Sequence, residues 1–292
     1  MSAGRPDAPA QPRRARVAVV IGSGGLKCAA AVGMWKVLAR EGVPVDVVVG
    51  CSGGSIYAAG MALGVDVAEA ERLTLTGWDQ LFRRVHAASV VRALFPRLLG
   101  FGEGIGLVDD RRVWKAIEAN FGEATFADCR IPLFVAATDY RTGEKVTLDT
   151  GRVADAVRAS VSLPLLLRPV PLGDRLLADG GMSNPLPIDV ALRAGCDVVL
   201  AMGFENPPPP VTTFGTAVAR VSSIVTNHLL RSTYAFYSAA HHGEVIPILP
   251  GLDRRVGLRD AHVVPSLIAA GERATEAELP YVWRLLEAGA GA

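Results

Sequence analysis

The sequence predicts an α/β fold built on a mainly parallel central sheet, and three features carry that prediction. Val17 to Ser55 reads as one strand-helix-strand unit, with a turn at the carboxyl end of each strand, where open α/β sheets place their ligands. Val17–Ile21, Pro132–Thr138 and Asp197–Met202 are near-continuous apolar runs, as is Val45–Val49 apart from Asp46; strands buried on both faces look like this. At 292 residues with 50% hydrophobic side chains, the chain is long enough to bury one large core. Residues 17–292 are therefore expected to form a single domain.

Residues 1–16 are rich in Ala, Pro and Arg and hold no apolar core, so a disordered tail is expected. Arg13-Arg14 ahead of an apolar run and Cys28 imitates a secretion or lipoprotein signal, but Lys27 stands at the would-be cleavage point. After the first strand comes the turn Gly22-Ser23-Gly24-Gly25-Leu26-Lys27, then a helix from about Cys28 to Glu41. Val32, Trp35, Leu38 and Ala39 recur there at helical spacing, and Gly42 ends it. The second strand leads into Gly50-Cys51-Ser52-Gly53-Gly54 and a helix to about Gly64, followed by another over Val67–Thr76.

Trp78–Gly106 mixes apolar pairs with arginines and ends in closely spaced glycines. Within it, Ser89–Phe101 sets Val90, Val91, Leu94, Phe95, Leu98, Leu99 and Phe101 beside Arg92 and Arg97. That composition suits a core-facing helix and equally an apolar, mildly basic lid that meets lipid.

Asp109 or Asp110 caps a helix carrying Val113, Trp114, Ile117 and Phe121. Strand Pro132–Thr138, the turn Asp139–Gly143 and strand Lys145–Leu148 follow. A helix over Val153–Ser160 precedes the strand Leu176–Ala178, which delivers Asp179 ahead of Gly180-Gly181. Pro187 opens a helix to Ala194, and Asp197–Met202 is the last evident strand. Pro207–Pro210 is a stiff hinge. Val211–His242 contains no acidic residue, and Phe214, Val218, Val221 and Val225 mark one helical face. Pro265–Ala270 and Pro280–Ala288 are expected as two short closing helices.

Gly50-x-Ser52-x-Gly54 after a buried strand has the form of a nucleophile elbow: so tight a turn needs flanks without side chains, and it lifts a serine hydroxyl clear of the sheet. The first turn offers what such a serine needs. Its glycines let the amides of Gly24, Gly25 and Leu26 converge at a helix start, where orphan N–H groups can hold an oxyanion. Lys27 stands beside them. Asp179 at a strand end, flanked by Gly180 and Gly181, can serve as a general base; alone, Asp-Gly is also an ordinary turn.

Gly22-Ser23-Gly24-Gly25-Leu26-Lys27 resembles the G-G-G-x-R/K-G oxyanion loop of patatin-like phospholipases. Gly50-Cys51-Ser52-Gly53-Gly54 is similar to their elbow, and Asp179-Gly180-Gly181 to their D-G-G/A motif. The resemblance spans about residues 17–202. It implies a three-layer sandwich, a Ser52–Asp179 dyad in place of a triad, and a lipid or ester substrate hydrolysed without cofactor or metal. Ser23 and Cys28 depart from the pattern, each standing where glycine is usual.

Thirty basic against 29 acidic side chains give a net charge of +1, which offers no electrostatic case for nucleic acid. Cys28, Cys51, Cys129 and Cys196 are scattered without metal-ligand spacing, as suits a reducing cytoplasm, with peripheral contact at a membrane surface the open addition. Three other readings compete. An α/β-hydrolase triad would recruit His228, His241, His242 or His262. A nucleotide-binding module would use Gly22-x-Gly24, with Asp46 on a ribose, though Lys27 stands where that fingerprint wants glycine. A non-catalytic relative would bind lipid or a partner.

Overall fold

The computed structural model describes residues 14–81, 110–205, 207–252, 256–257 and 260–290. The Ser89–Phe101 stretch and most of Trp78–Gly106 lie outside them.

Among these residues eight strands form one sheet in the order β5-β6-β3-β2-β1-β7-β8, with β4 also paired to β3. They are β1 Val17–Ile21, β2 Val47–Cys51, β3 Leu133–Asp139, β4 Lys145–Leu148, β5 Val170–Leu172, β6 Arg175–Asp179, β7 Val198–Met202 and β8 Glu244–Ile248. The run β3-β2-β1-β7-β8 is parallel, while β4, β5 and β6 join antiparallel at one side. The sheet is therefore mixed, and the expected parallel character holds for its centre.

Alternation along the strands divides the core in two. Val17, Val19, Ile21, Val48, Leu200 and Met202 point to one face, under α1 (Ala30–Glu41), α2 (Gly53–Leu63) and the helices Val153–Val161 and Val264–Ala290. Ala18, Val20, Val47, Val49, Val199 and Ala201 point to the other, under the helix Ile188–Arg193 and part of the helix Phe214–Ala240. Helices on both faces of one sheet make the three-layer sandwich.

Several elements differ from expectation, each for a physical reason. The glycine turn winds into a 3-10 helix, Gly25–Ala29, before α1 begins. β2 runs to Cys51, so the elbow bends at Ser52 itself. The two short closing helices are one, Val264–Ala290, with Pro280 inside. Val264, Leu267 and Ile268 before that proline and Val282 and Leu286 after it are buried in the same core, which offsets the missing main-chain bond.

β8 was unrecognised because Glu244–Ile248 is short and contains Pro247; it pairs on one side only, with β7, where a missing N–H is tolerated. α1 is buried nearly all round as far as Leu38, although Ala39 is exposed. A Cβ on Gly33 would run into the Ile268 carbonyl and one on Gly271 into the Ala30 carbonyl, so α1 and the last helix touch backbone to backbone.

Arg14 and Arg16, inside the expected tail, are tied to the sheet, and residues 1–13 lie outside the described residues. Arg14 forms an ion pair with Asp46 at 2.6 Å, and the Arg16 amide donates to Asp197 at 2.7 Å.

Candidate active site

Two strands meet head to head on β3, and that meeting creates the site. β2 runs parallel to β3 and ends with Cys51 opposite Ala136. β6 runs antiparallel to β3 and ends with Asp179 opposite Ala137. Their tips therefore arrive at adjacent positions from opposite directions, and the next atoms outward are the side chains of Ser52 and Asp179. The Ser52 hydroxyl donates to Asp179 Oδ2 at 2.6 Å.

Ser52 is held at φ 54°, ψ −132°, a backbone state that a residue with a side chain rarely adopts. The bend is tight because α2 packs directly over β1: a Cβ at Gly54 would collide with the Ile21 and Gly22 carbonyls, and one at Gly50 with Ser55. The Ser52 amide donates to Ser160 Oγ at 2.8 Å, and Ser160 in turn donates to the Ala136 carbonyl at 2.7 Å. The Ser52 carbonyl accepts from Ser55 Oγ at 2.6 Å.

Ser160 is a residue that sequence reasoning placed only at a helix end; no local pattern connects it to a turn 108 positions earlier. Ser160→Ala would strand two buried backbone groups, so it is expected to lower unfolding free energy by about 1–3 kcal/mol. Denaturant titration measures this; an unchanged midpoint would show that the bridge holds nothing.

Asp179 is buried, 4% exposed, and its two oxygens have separate partners. Oδ1 accepts from the Gly181 amide at 2.7 Å while Oδ2 faces Ser52. Burial pushes its pKa up to about 6, against the opposing effect of the Ser52 and Gly181 hydrogen bonds. A carboxylate raised this far is a competent proton acceptor near neutrality. A Cβ at Gly180 would collide with the Ala136 carbonyl, so that glycine permits the close approach to β3.

The glycine loop lies against the elbow: a Cβ on Gly53 would come within 2.7 Å of the Gly25 carbonyl. Gly25 and Leu26 open the 3-10 helix, whose first amides have no carbonyl within the helix to bond. Gly53 likewise opens α2. The Ser23 amide is taken by the Pro185 carbonyl at 2.7 Å, while its hydroxyl lies beside Gly181. Cys28 fills the space beside Gly24 and Gly53, with its thiol at 3.4 Å from the Gly22 carbonyl. Burial drives the pKa of both Cys28 and Cys51 upward, so neither thiol is an activated nucleophile.

Lys27 is not a solvated first-turn lysine. It is 3% exposed, burial lowers its pKa to about 8, and Nζ donates to the Glu205 carbonyl at 2.8 Å. Its position ties the glycine loop to the end of β7.

A family model for patatin-like phospholipases matches residues 19–192, more than half of the chain. The chain belongs to the patatin-like phospholipase family.

It is 25% identical over 77% of its length to an uncharacterized NTE family protein of Mycobacterium tuberculosis, and 30% identical over 68% to a second one. Patatin-like phospholipase domain-containing protein 7 of Mus musculus is 29% identical over 70%. The chain spans 58%, 32% and 15% of those three relatives. Among solved structures, VipD from Legionella pneumophila aligns at a TM-score of 0.49 with 14% identity, over 95% of this chain and 67% of that one. The type III effector ExoU aligns at 0.46 with 16% identity, over 93% and 54%.

Neither the histidine triad nor the nucleotide-binding reading finds support in the geometry. His228, His241, His242 and His262 are exposed, whereas the described partners of Ser52 and Asp179 are Ser55, Ser160, Ser162, Thr138, Gly181 and each other. Asp46 precedes β2, at the end of the sheet opposite Ser52, where it binds Arg14 and the Val17 amide. Among the described residues no group of three His, Cys, Asp or Glu is placed to hold a metal.

Proposed function

We propose that this chain is a serine lipid acyl hydrolase, of phospholipase A, lysophospholipase or esterase type, working through a Ser52–Asp179 dyad. The observation that carries the reading is the 2.6 Å hydrogen bond from a strained, glycine-flanked serine to a buried carboxylate of raised pKa.

As Ser52 Oγ attacks the acyl carbonyl, its proton passes to Asp179 Oδ2. The carbonyl oxygen becomes an oxyanion that the amides of Gly24, Gly25 and Leu26 hold, with Gly53 as a further donor. Collapse breaks the ester C–O bond, and the leaving alkoxide takes the proton from Asp179. Water then gives a proton to Asp179 and attacks the acyl-enzyme, and the acid departs as Ser52 is restored. The Gly181 amide fixes the carboxylate throughout, the part that histidine's partner plays in a triad.

No cofactor enters this sequence of steps. The setting we propose is the cytoplasm, with lipid met peripherally; no helix among the described residues is long and apolar enough to cross a membrane.

The test is covalent labelling by a fluorophosphonate, which reacts with an activated serine. Labelling of the native chain is expected, with release of fatty acid or a chromogenic alcohol from an ester. A folded chain that neither labels nor hydrolyses any ester would sink the reading.

The glycine loop carries its own prediction. Gly25 sits at φ 57°, where a β-branched residue is strained, and its amide leads the 3-10 helix. Gly25→Val is expected to cut kcat on a soluble short-chain ester by roughly 10²–10³. Full activity in that variant would give the loop another task.

A further inference from the structure

We propose that the amino-terminal half of the helix Phe214–Ala240 is an interfacial arm that docks the Ser52 end of the molecule onto an anionic lipid surface. The proposal rests on the lipid hydrolase reading for its purpose, but neither its geometry nor its test does.

The helix has 27 residues, about 40 Å at 1.5 Å per residue, yet Leu230 is its only fully buried residue. In its first half Arg220 donates to the Pro209 carbonyl at 3.1 Å, and its attachments to the sheet end lie in the second half. Tyr234 Oη donates to the Ala201 carbonyl at 2.6 Å, Leu230 packs in the core beneath β7, and Arg231 makes two bonds to the Glu205 carboxylate at 2.7 and 2.9 Å.

Ala201 to Glu205 is the carboxyl end of β7. It is also the end where Gly22 donates to the Met202 carbonyl and the glycine loop begins. After Ala240 the chain enters β8 beside Val198, at the amino end of the parallel strands. The helix must therefore run from beyond the carboxyl end of the sheet down to its amino end. The part before Leu230, roughly 24 Å long, stands out past the edge at which Ser52 opens.

That projecting half carries Phe214, Val218, Val221 and Val225 at steps of four, three and four, which align them on one stripe. All are exposed, Phe214 at 86%, Val221 at 62% and Val225 at 60%. Exposed apolar residues also rim the dyad on the same end: Met182 follows the glycine that holds Asp179, and Leu163 follows Ser162, whose carbonyl accepts the Asp179 amide.

Charge selects the occupant. Val211–His242 has no aspartate or glutamate, and the projecting half carries Arg220 and His228 while Arg231 at its root is already paired with Glu205, so a negatively charged surface meets no repulsion along the arm. An apolar stripe with a neutral-to-basic remainder suits shallow insertion at an anionic bilayer. The arm's root is tied to the catalytic end, since Glu205 binds Arg231 by its carboxylate and Lys27 by its carbonyl.

The test uses the full chain carrying Ser52→Ala, so that no lipid is consumed, floated with vesicles of equimolar phosphatidylcholine and phosphatidylglycerol or of phosphatidylcholine alone. Binding is expected to favour the anionic vesicles, and adding Phe214→Ser, Val221→Ser and Val225→Ser should weaken it about tenfold or more. A separate Val221→Trp variant should shift its emission to the blue on anionic vesicles. Equal binding by the triple variant, or an unshifted tryptophan, overturns the proposal. So does a lower melting temperature in the triple variant, or a dimer that the triple variant abolishes, because the stripe is then covered by the chain itself or by a second copy. Absent fluorophosphonate labelling of the native Ser52 chain, with vesicle binding intact, would remove the hydrolase reading and leave the arm.

Discussion

Ser52→Ala is expected to abolish ester hydrolysis and fluorophosphonate labelling together, with kcat lower by roughly 10³-fold or more, while the fold survives. The backbone of the elbow is held by contacts that do not involve the Ser52 hydroxyl. Its amide bonds to Ser160, its carbonyl to Ser55, and its tightness comes from the missing side chains at Gly50 and Gly54. Alanine at φ 54° carries the same backbone strain that serine does, so the melting temperature should stay near the native value. Loss of activity with an unchanged melting temperature is the signature. Undiminished hydrolysis by a folded Ser52→Ala chain would end the nucleophile assignment, and loss of fold would show the hydroxyl to be structural.

Asp179→Asn carries the second large effect, and it runs in opposite directions for activity and stability. The amide cannot take the serine proton, so kcat should fall by something on the order of 10²–10⁴. In the native chain Asp179 must be ionised to act, so kcat/KM and labelling rate should rise with pH to a plateau, with a midpoint near the value of about 6 that burial imposes. That limb should vanish in the variant.

For stability, the folded value of about 6 lies above the ordinary 3.8. Ionisation therefore favours the unfolded chain, by an amount that is absent below about pH 4, grows between the two values and is full above pH 6. Asp179→Asn removes this penalty, and at pH 8 it should unfold at a higher temperature than the native chain, by an amount equivalent to about 1–3 kcal/mol, less whatever the Gly181 and Ser52 bonds lose in strength. The gain should disappear as pH falls to 4. An activity loss of the same size from replacing His228, His241, His242 or His262 would return the triad.

Both variants probe the proposed dyad, whose two residues were each legible before the fold was known, while their meeting was not. The glycines around Ser52 announced a turn too tight for side chains, and Asp179-Gly180-Gly181 announced a close approach at a strand end. What brings them to 2.6 Å is the antiparallel arrival of β6 on β3 one register position beyond β2. Local pattern reports whether a strand is buried on one face or two, and it is silent on direction and partner. The Ser160 bridge escaped for the same reason, since a lone serine at a helix end has many uses.

Lys27 shows what a first-turn position leaves open. Solvent or the glycine loop could each take its ammonium by sequence, and the chain leaving β7 folds over it and offers the Glu205 carbonyl. The long last helix was divided at Pro280 because proline usually opens or ends helices; burial on both sides of it prevailed. Conversely, Phe214, Val218, Val221 and Val225 were correctly read as one helical face. Their exposure is a property of where β7 and β8 anchor the helix.

The amino-acid sequence by itself determined the α/β class, the central parallel strands, the tight turn at Ser52, the glycine loop and the close approach at Asp179-Gly180-Gly181, because each depends on residues near one another whose spacing expresses backbone geometry or burial. The tertiary structure alone decided that β6 runs against β3, that Ser160 holds the Ser52 amide, that Asp179 is buried deeply enough to raise its pKa to about 6, and that the helix Phe214–Ala240 leaves most of its length exposed. These depend on pairings and depths across the chain, where the contact energy of any one pair is small and only the packed whole selects among the alternatives.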